Sequence, residues 1–253
     1  MLECGLTHQN QFGIYQRTEA AKRRIDKCFW SLGVREVGKY TKSRVIDYIW
    51  QYSRYYGNQL AFLGDIEENG SASLVYLFNL LESVLKAHID DYDPNFQDVV
   101  KKSYKSGLLT KIEHDFLNNK KSGVRKLRNI LAHENLSRFN VSFGNEEVLY
   151  PLTENDSCQL LYQKLSDIIF NIMLKVAALN LNVEILVDID SEIKTLKLSI
   201  IEFTPEEILV DKGIDPTTLN AWKGLKVSEQ YRLAENAQNL KVLSHILSEL
   251  VNK

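Results

Sequence analysis

The chain has 253 residues, of which 44% are apolar and 25% charged, with a formal net charge of −2. That length suits one large helical domain, or one domain with sizeable appendages, and the apolar share is enough to bury a real core. Only 4 Pro and 12 Gly favour long helices over a turn-rich β-sandwich, and a near-neutral total names no partner by itself.

The cysteines, Cys4, Cys28 and Cys158, are odd in number and far apart. They form no CxxC pair and no zinc spacing, so neither a disulfide framework nor a structural metal is expected. The opening MLECGLTHQN lacks a basic region followed by an apolar run and does not read as a signal peptide. The most hydrophobic later stretch, Ile168 to Leu181, is interrupted by Asn171, Lys175 and Asn180. It falls short of the roughly 18 apolar residues that span a bilayer. A cytoplasmic protein without metal, cofactor or membrane contact is the expectation.

In chain order, residues 14–33 and 41–63 read as two helices, the second carrying Tyr48, Trp50, Tyr52, Tyr55, Tyr56 and Phe62. Basic stretches with interleaved aromatics stack nucleobases. An aromatic stripe on a helix is more often core or interface, and burial is the expectation here. Asp65 to Gly70 breaks the chain. Leu74, Val75, Phe78, Leu81, Leu85 and Ile89 recur at three- and four-residue steps, so 72–89 is the clearest amphipathic helix. Pro94 disfavours helix at Asp93, and helices resume at 95–106, 108–119 and 123–134. Phe139 to Pro151 shifts to short β-like runs around the turn signal Gly144-Asn145. A long helix follows at 156–180. Val183–Ile189 and Leu196–Phe203 alternate as two strands would, although short helices fit nearly as well, and a last amphipathic helix is expected from Val227 to Val251.

The fold class that follows is mostly α. An N-terminal helical arm (1–64) precedes a helical domain (65–182) and an acidic, mixed or hairpin-containing C-terminal region (183–253). Charge is uneven along it: Lys101 to Arg138 holds ten Lys/Arg against three Asp/Glu, whereas Val183 to Asp215 holds nine Asp/Glu against three Lys. Solvated faces would explain both. Clustered Lys/Arg is also the footprint that a phosphate backbone requires. Lys101, Lys102, Lys105, Lys120, Lys121, Arg125 and Lys126 are therefore candidate RNA-binding residues.

Within that basic stretch lies Arg125-Lys126-Leu127-Arg128-Asn129-Ile130-Leu131-Ala132-His133-Glu134-Asn135. On a helix, Asn129 and His133 share a face. Arg128 stands about 140° from His133, so its long side chain must reach round. Together they offer a bidentate phosphate clamp, an orienting amide and a side chain of the type that changes charge near neutral pH. Such a trio suits RNA cleavage without a metal. A base takes the 2′-OH proton, an acid protonates the departing 5′-oxygen, and a cation stabilises the phosphorane. One chain supplies one such histidine, and a two-fold dimer would supply the second. Glu82 on the amphipathic helix is placed either to support Arg128 or to lie in solvent.

The spacing Arg-Asn-x-x-x-His within a helix resembles the Arg-x4–6-His motif of HEPN domains. The preceding helix LFNLLESVLKAHI with Glu82, the basic helix before the motif and the apolar helix after it also resemble that family, over residues 66–182. The resemblance implies a helical bundle that dimerises with its motifs facing, and often a metal-independent ribonuclease of toxin–antitoxin or antiviral defence systems. Such systems include an antitoxin or regulatory protein as partner. Carried over by position, Arg128 is the phosphate and transition-state residue, Asn129 its polar supporter and His133 the acid/base. A HEPN subgroup that pairs with a nucleotidyltransferase has Tyr two residues after the His, where this chain has Asn135. A catalytically silent RNA- or nucleotide-binding module, or a protein-interaction scaffold, is the alternative reading.

Overall fold

A computed structural model describes residues 39–144, 148–181, 187–219 and 222–237, together with Ser248. The helix expected at 14–33, Cys4 and Cys28 lie outside the described residues. Within them the chain is mostly helical, with one small three-stranded antiparallel sheet.

One helix expected over 41–63 is two: α1 (Lys42–Tyr52) and α2 (Arg54–Asp65). The break falls at Ser53, whose backbone is extended and whose hydroxyl accepts from Tyr56 N as an N-cap. Gly57 lets the two helices cross closely, since a Cβ there would lie 2.1 Å from the Trp50 ring. Helix α3 (Gly70–Ile89) is capped by Asn69 and buries Leu74, Leu77, Phe78, Leu81 and Leu85. Its first residue must be small. A Cβ on Gly70 would meet Gln159 N at 2.2 Å, and Gly70 N donates to Asn155 Oδ1 at 2.9 Å.

That contact joins α3 to α7 (Asn155–Leu181), the central helix. From Ile168 to Ala178 nearly every α7 residue is buried, as expected for a helix surrounded by others. The exception that matters is polar. Buried Asn171 accepts from Tyr40 N at 2.8 Å and donates to Tyr40 O at 2.9 Å, pinning the start of α1. Val45, Ile49, Leu60 and Leu63 belong to the same core as α3 and α7. No described helix is long and apolar enough to cross a membrane.

Helices α4 (Phe96–Lys105), α5 (Lys111–Asn118) and α6 (Val124–His133) follow close to their expected places. α5 opens with a Thr110–Glu113 capping box. Glu113 is fully buried, and its carboxylate receives Lys175 Nζ at 2.5 Å.

Strand β1 (Phe139–Ser142) is the middle strand of the sheet, antiparallel to β2 (Tyr150–Pro151) and to β3 (Ser199–Glu202). Val141 pairs with Tyr150 on one side and Ile200 on the other. The expected hairpin is therefore present in its strands, while turn residues 145–147 lie outside the described residues. Of the two later strands expected, 196–203 contains β3. The other falls mostly on 182–186, outside the described residues, and gives way at Asp190–Leu196 to helix α8. Helix α9 (Pro205–Asp211) and α10 (Val227–Asn236) close a smaller cluster around Leu209, Trp222 and Leu233. α10 ends at Asn236, where Ala237 turns extended; the rest of the helix expected to Val251 lies, apart from Ser248, outside the described residues.

Candidate functional site

Helix α6 is amphipathic by spacing. Val124, Leu127 and Ile130 face the core, whereas Asn129, Ala132 and His133 are exposed. Glu134 then turns extended, and Asn135 Oδ1 caps the next turn through Ser137 N at 3.2 Å. The chain leaves the helix immediately past His133, which stands at its last position.

Arg128 reaches across to α3. Its Nη2 meets Glu82 Oε2, while Lys86 Nζ lies 3.0 Å from Glu82 Oε1, so each carboxylate oxygen receives one cation. The Glu82 side chain is only 12% exposed. The guanidinium also lies 5.4 Å from the Phe96 ring centroid, a cation–π contact. A guanidinium has five N–H donors. Glu82 occupies one end, and the buried Nε–H has no partner.

Arg128, Asn129 and His133 line one hollow of about 220 Å³, together with Val75, Phe78 and Asn79 of α3. The three motif residues are thus brought together, although Arg128 and His133 leave the helix at well-separated angles. Asn79 went unremarked in the sequence. Its signal was present, since Val75, Asn79, Glu82 and Lys86 recur at three- and four-residue steps opposite the buried stripe of α3.

Histidines differ sharply in setting. His88 is half-buried, its Nε2 3.5 Å from Ser106 Oγ, and burial pushes its imidazole below the ordinary value. His114 Nδ1 lies 3.0 Å from Asp115 Oδ1, and its ring packs 4.8 Å from Tyr104. His133 is exposed and has no hydrogen-bond partner among the described residues.

The basic residues do not gather around this hollow. Lys101, Lys102 and Lys105 line a separate one of about 460 Å³ that also contains Asp93 and Asp98. Lys102 is 2.5 Å from Asp91 and Lys101 is 3.5 Å from Asp98. Lys120 and Lys121 are exposed in the turn before α6, and Arg125 and Lys126 are half-exposed on its first turn, with Lys126 Nζ 4.9 Å from the Phe139 ring. Another hollow, of about 590 Å³, lies between α7 and α8 and shares no residue with the motif. Among the described residues no group of three or more His, Cys, Asp or Glu is arranged to hold a metal ion.

No protein-family model, curated protein or solved structure matches this chain.

Proposed function

We propose that the chain is a metal-independent endoribonuclease of the HEPN type, acting in the cytoplasm as a conditional toxin or antiviral effector. The observation that carries this reading is the shared hollow of Arg128, Asn129 and His133, with Arg128 fastened to Glu82. A phosphodiester entering it meets a guanidinium with unused N–H donors, a free carboxamide and an imidazole not tied to any neighbour. One imidazole takes the 2′-OH proton, and the 2′-oxygen attacks phosphorus. The bond to the 5′-oxygen then breaks as that oxygen gains a proton. The products are a 2′,3′-cyclic phosphate and a 5′-hydroxyl, and Arg128 stabilises the charge in between.

Base and acid are two roles, and one protomer offers one exposed, unpartnered histidine among its described residues. A symmetric homodimer that brings two hollows together supplies both at no cost in sequence. An antitoxin or regulatory protein would hold such an enzyme silent.

The test is cleavage of mixed RNA by Arg128→Ala and His133→Ala. His133→Ala is expected to lose about 10²–10⁴-fold and Arg128→Ala about 10²–10³-fold, with unchanged helix content. Full activity in either variant overturns the assignment. A second reading, a silent RNA-binding or scaffold module, draws on the pairing of Arg128 with Glu82, since a neutralised arginine attracts phosphate less. Salt-sensitive RNA binding without cleavage would favour it.

A further inference from the structure

Glu82 lies six positions after Tyr76 on α3, which places them about 120° apart around a 3.6-residue helix. Each faces a different wall. On the Tyr76 side stands α2, with Phe62 packed edge-on against Tyr76 at 5.4 Å between centroids and Tyr56 donating its hydroxyl to Ser83 O at 3.2 Å. On the Glu82 side stands α6, with Arg128. Between the two walls runs an open stripe of α3 that includes Val75 and Asn79, both exposed.

The α2 wall is aromatic and in part uncovered. Tyr55 is 64% exposed although its ring packs 5.3 Å from Tyr56, and Phe62 is 45% exposed. Burial and the neighbouring Tyr92, Tyr52 and Tyr55 push the Tyr56 hydroxyl up to about 12, so it stays neutral. The α6 side is cationic: Arg128 of α6 and Lys86 of α3 share the single carboxylate of Glu82, which leaves one positive charge in excess. The floor between them carries no acid at Ala72, Val75, Asn79 or Ser83. Asp65, Glu67 and Glu68 follow Phe62 in the chain, so phosphates are drawn toward the opposite wall.

We propose that this groove is a track for single-stranded RNA, in which Tyr55 and Phe62 stack bases while Arg128 and Lys86 take the phosphates. Stacking rings beside a cationic wall are the features by which proteins hold single strands without reading their sequence. A helix with its side chains is about 10–12 Å across, so one short oligonucleotide spans both walls. A duplex keeps its bases stacked on each other and offers the rings nothing. A second copy of the chain seated along the whole groove is the less fitting occupant, because Asn79 and Ser83 make the floor polar where a stable self-interface has an apolar centre.

This inference rests on the phosphate role given to Arg128, but its test does not need catalysis. Binding of labelled oligoadenylate and of an RNA duplex of equal length is measured by fluorescence anisotropy, in a His133→Ala background that prevents cutting. Tyr55→Ala and Phe62→Ala are each expected to weaken single-strand binding about tenfold, the effect of losing one stacked base. Duplex binding should not change, and Tyr55→Phe should bind as the parent does. Unchanged single-strand affinity, or an equal loss for both RNAs, overturns the track. So does a loss that sedimentation traces to dissociation of a dimer. Tyr55 is mostly in solvent, so its variant remains interpretable if Phe62→Ala melts early. Ring-dependent binding by a protein that cuts nothing would defeat the ribonuclease reading and leave the track standing. Cleavage without any ring dependence would do the reverse.

Discussion

Replacing Glu82 by Gln keeps the side chain's shape and removes the charge on which Arg128 and Lys86 converge. Hydrogen bonds to charged groups contribute about 1.5–3 kcal/mol each. Here the Arg128 side chain is 31% exposed and that of Lys86 19%, so solvent screening reduces both. The two contacts together should stabilise the fold by about 2 kcal/mol. For a chain of this length that corresponds to a fall in Tm of about 4–8 °C, measurable by calorimetry. Activity is the sharper reading. If Glu82 holds the guanidinium where phosphate arrives, releasing it should lower kcat/KM by about 10–100-fold, as misplacement by an ångström does. The double variant Glu82→Gln/Arg128→Ala should then be no worse than Arg128→Ala alone. A Glu82→Gln enzyme faster than the parent would refute this reasoning and make Glu82 a brake on Arg128.

Lys175→Ala leaves the buried Glu113 carboxylate without its cation and should destabilise by about 3–5 kcal/mol in urea titrations. Replacing both partners, Lys175→Met with Glu113→Gln, should recover much of that loss. Gly70→Ala drives a methyl group into the α7 backbone and should cost about 1–3 kcal/mol, with no relief from rotamer changes. His88 has a folded-state value held below the ordinary 6.5 by burial. Its contribution is therefore complete above about pH 6.5 and is lost as pH falls through the lower folded value. His88→Gln should flatten the fall in Tm between neutral and mildly acidic buffer, and an unchanged slope would show that His88 is not its source.

Legibility in the sequence tracks how local the determining interaction is. Helices α3 to α5 read well because their caps and apolar steps are contained within each segment: Asn69, Asn95 and Thr110 each accept from the backbone N–H three residues on. The break at Ser53 was missed because aromatic density hid a serine cap, and the close crossing at Gly57 is a tertiary fact. α8 falls in the gap between the two alternating stretches, 183–189 and 196–203, and its Asp190 is held from afar by Thr110 Oγ1 at 2.8 Å. At the site, the face shared by Asn129 and His133 follows from helix geometry. The Phe96 ring under Arg128 and the presence of Asn79 do not, since both depend on how α4 and α3 dock beside α6. The aromatics of 41–63 were expected to bury. Tyr48 on α1 does, while Tyr55 and Phe62 on α2 remain exposed.

The most direct measurement incubates mixed RNA with the 253-residue chain and with its His133→Ala variant, each in excess EDTA, and identifies the ends of any fragments. Cleavage by the parent chain alone, leaving 2′,3′-cyclic phosphates and 5′-hydroxyls, is the expected result. Intact RNA in both reactions, equal cutting by both proteins, or cutting by the parent that appears only when Mg²⁺ or Mn²⁺ is restored would contradict it.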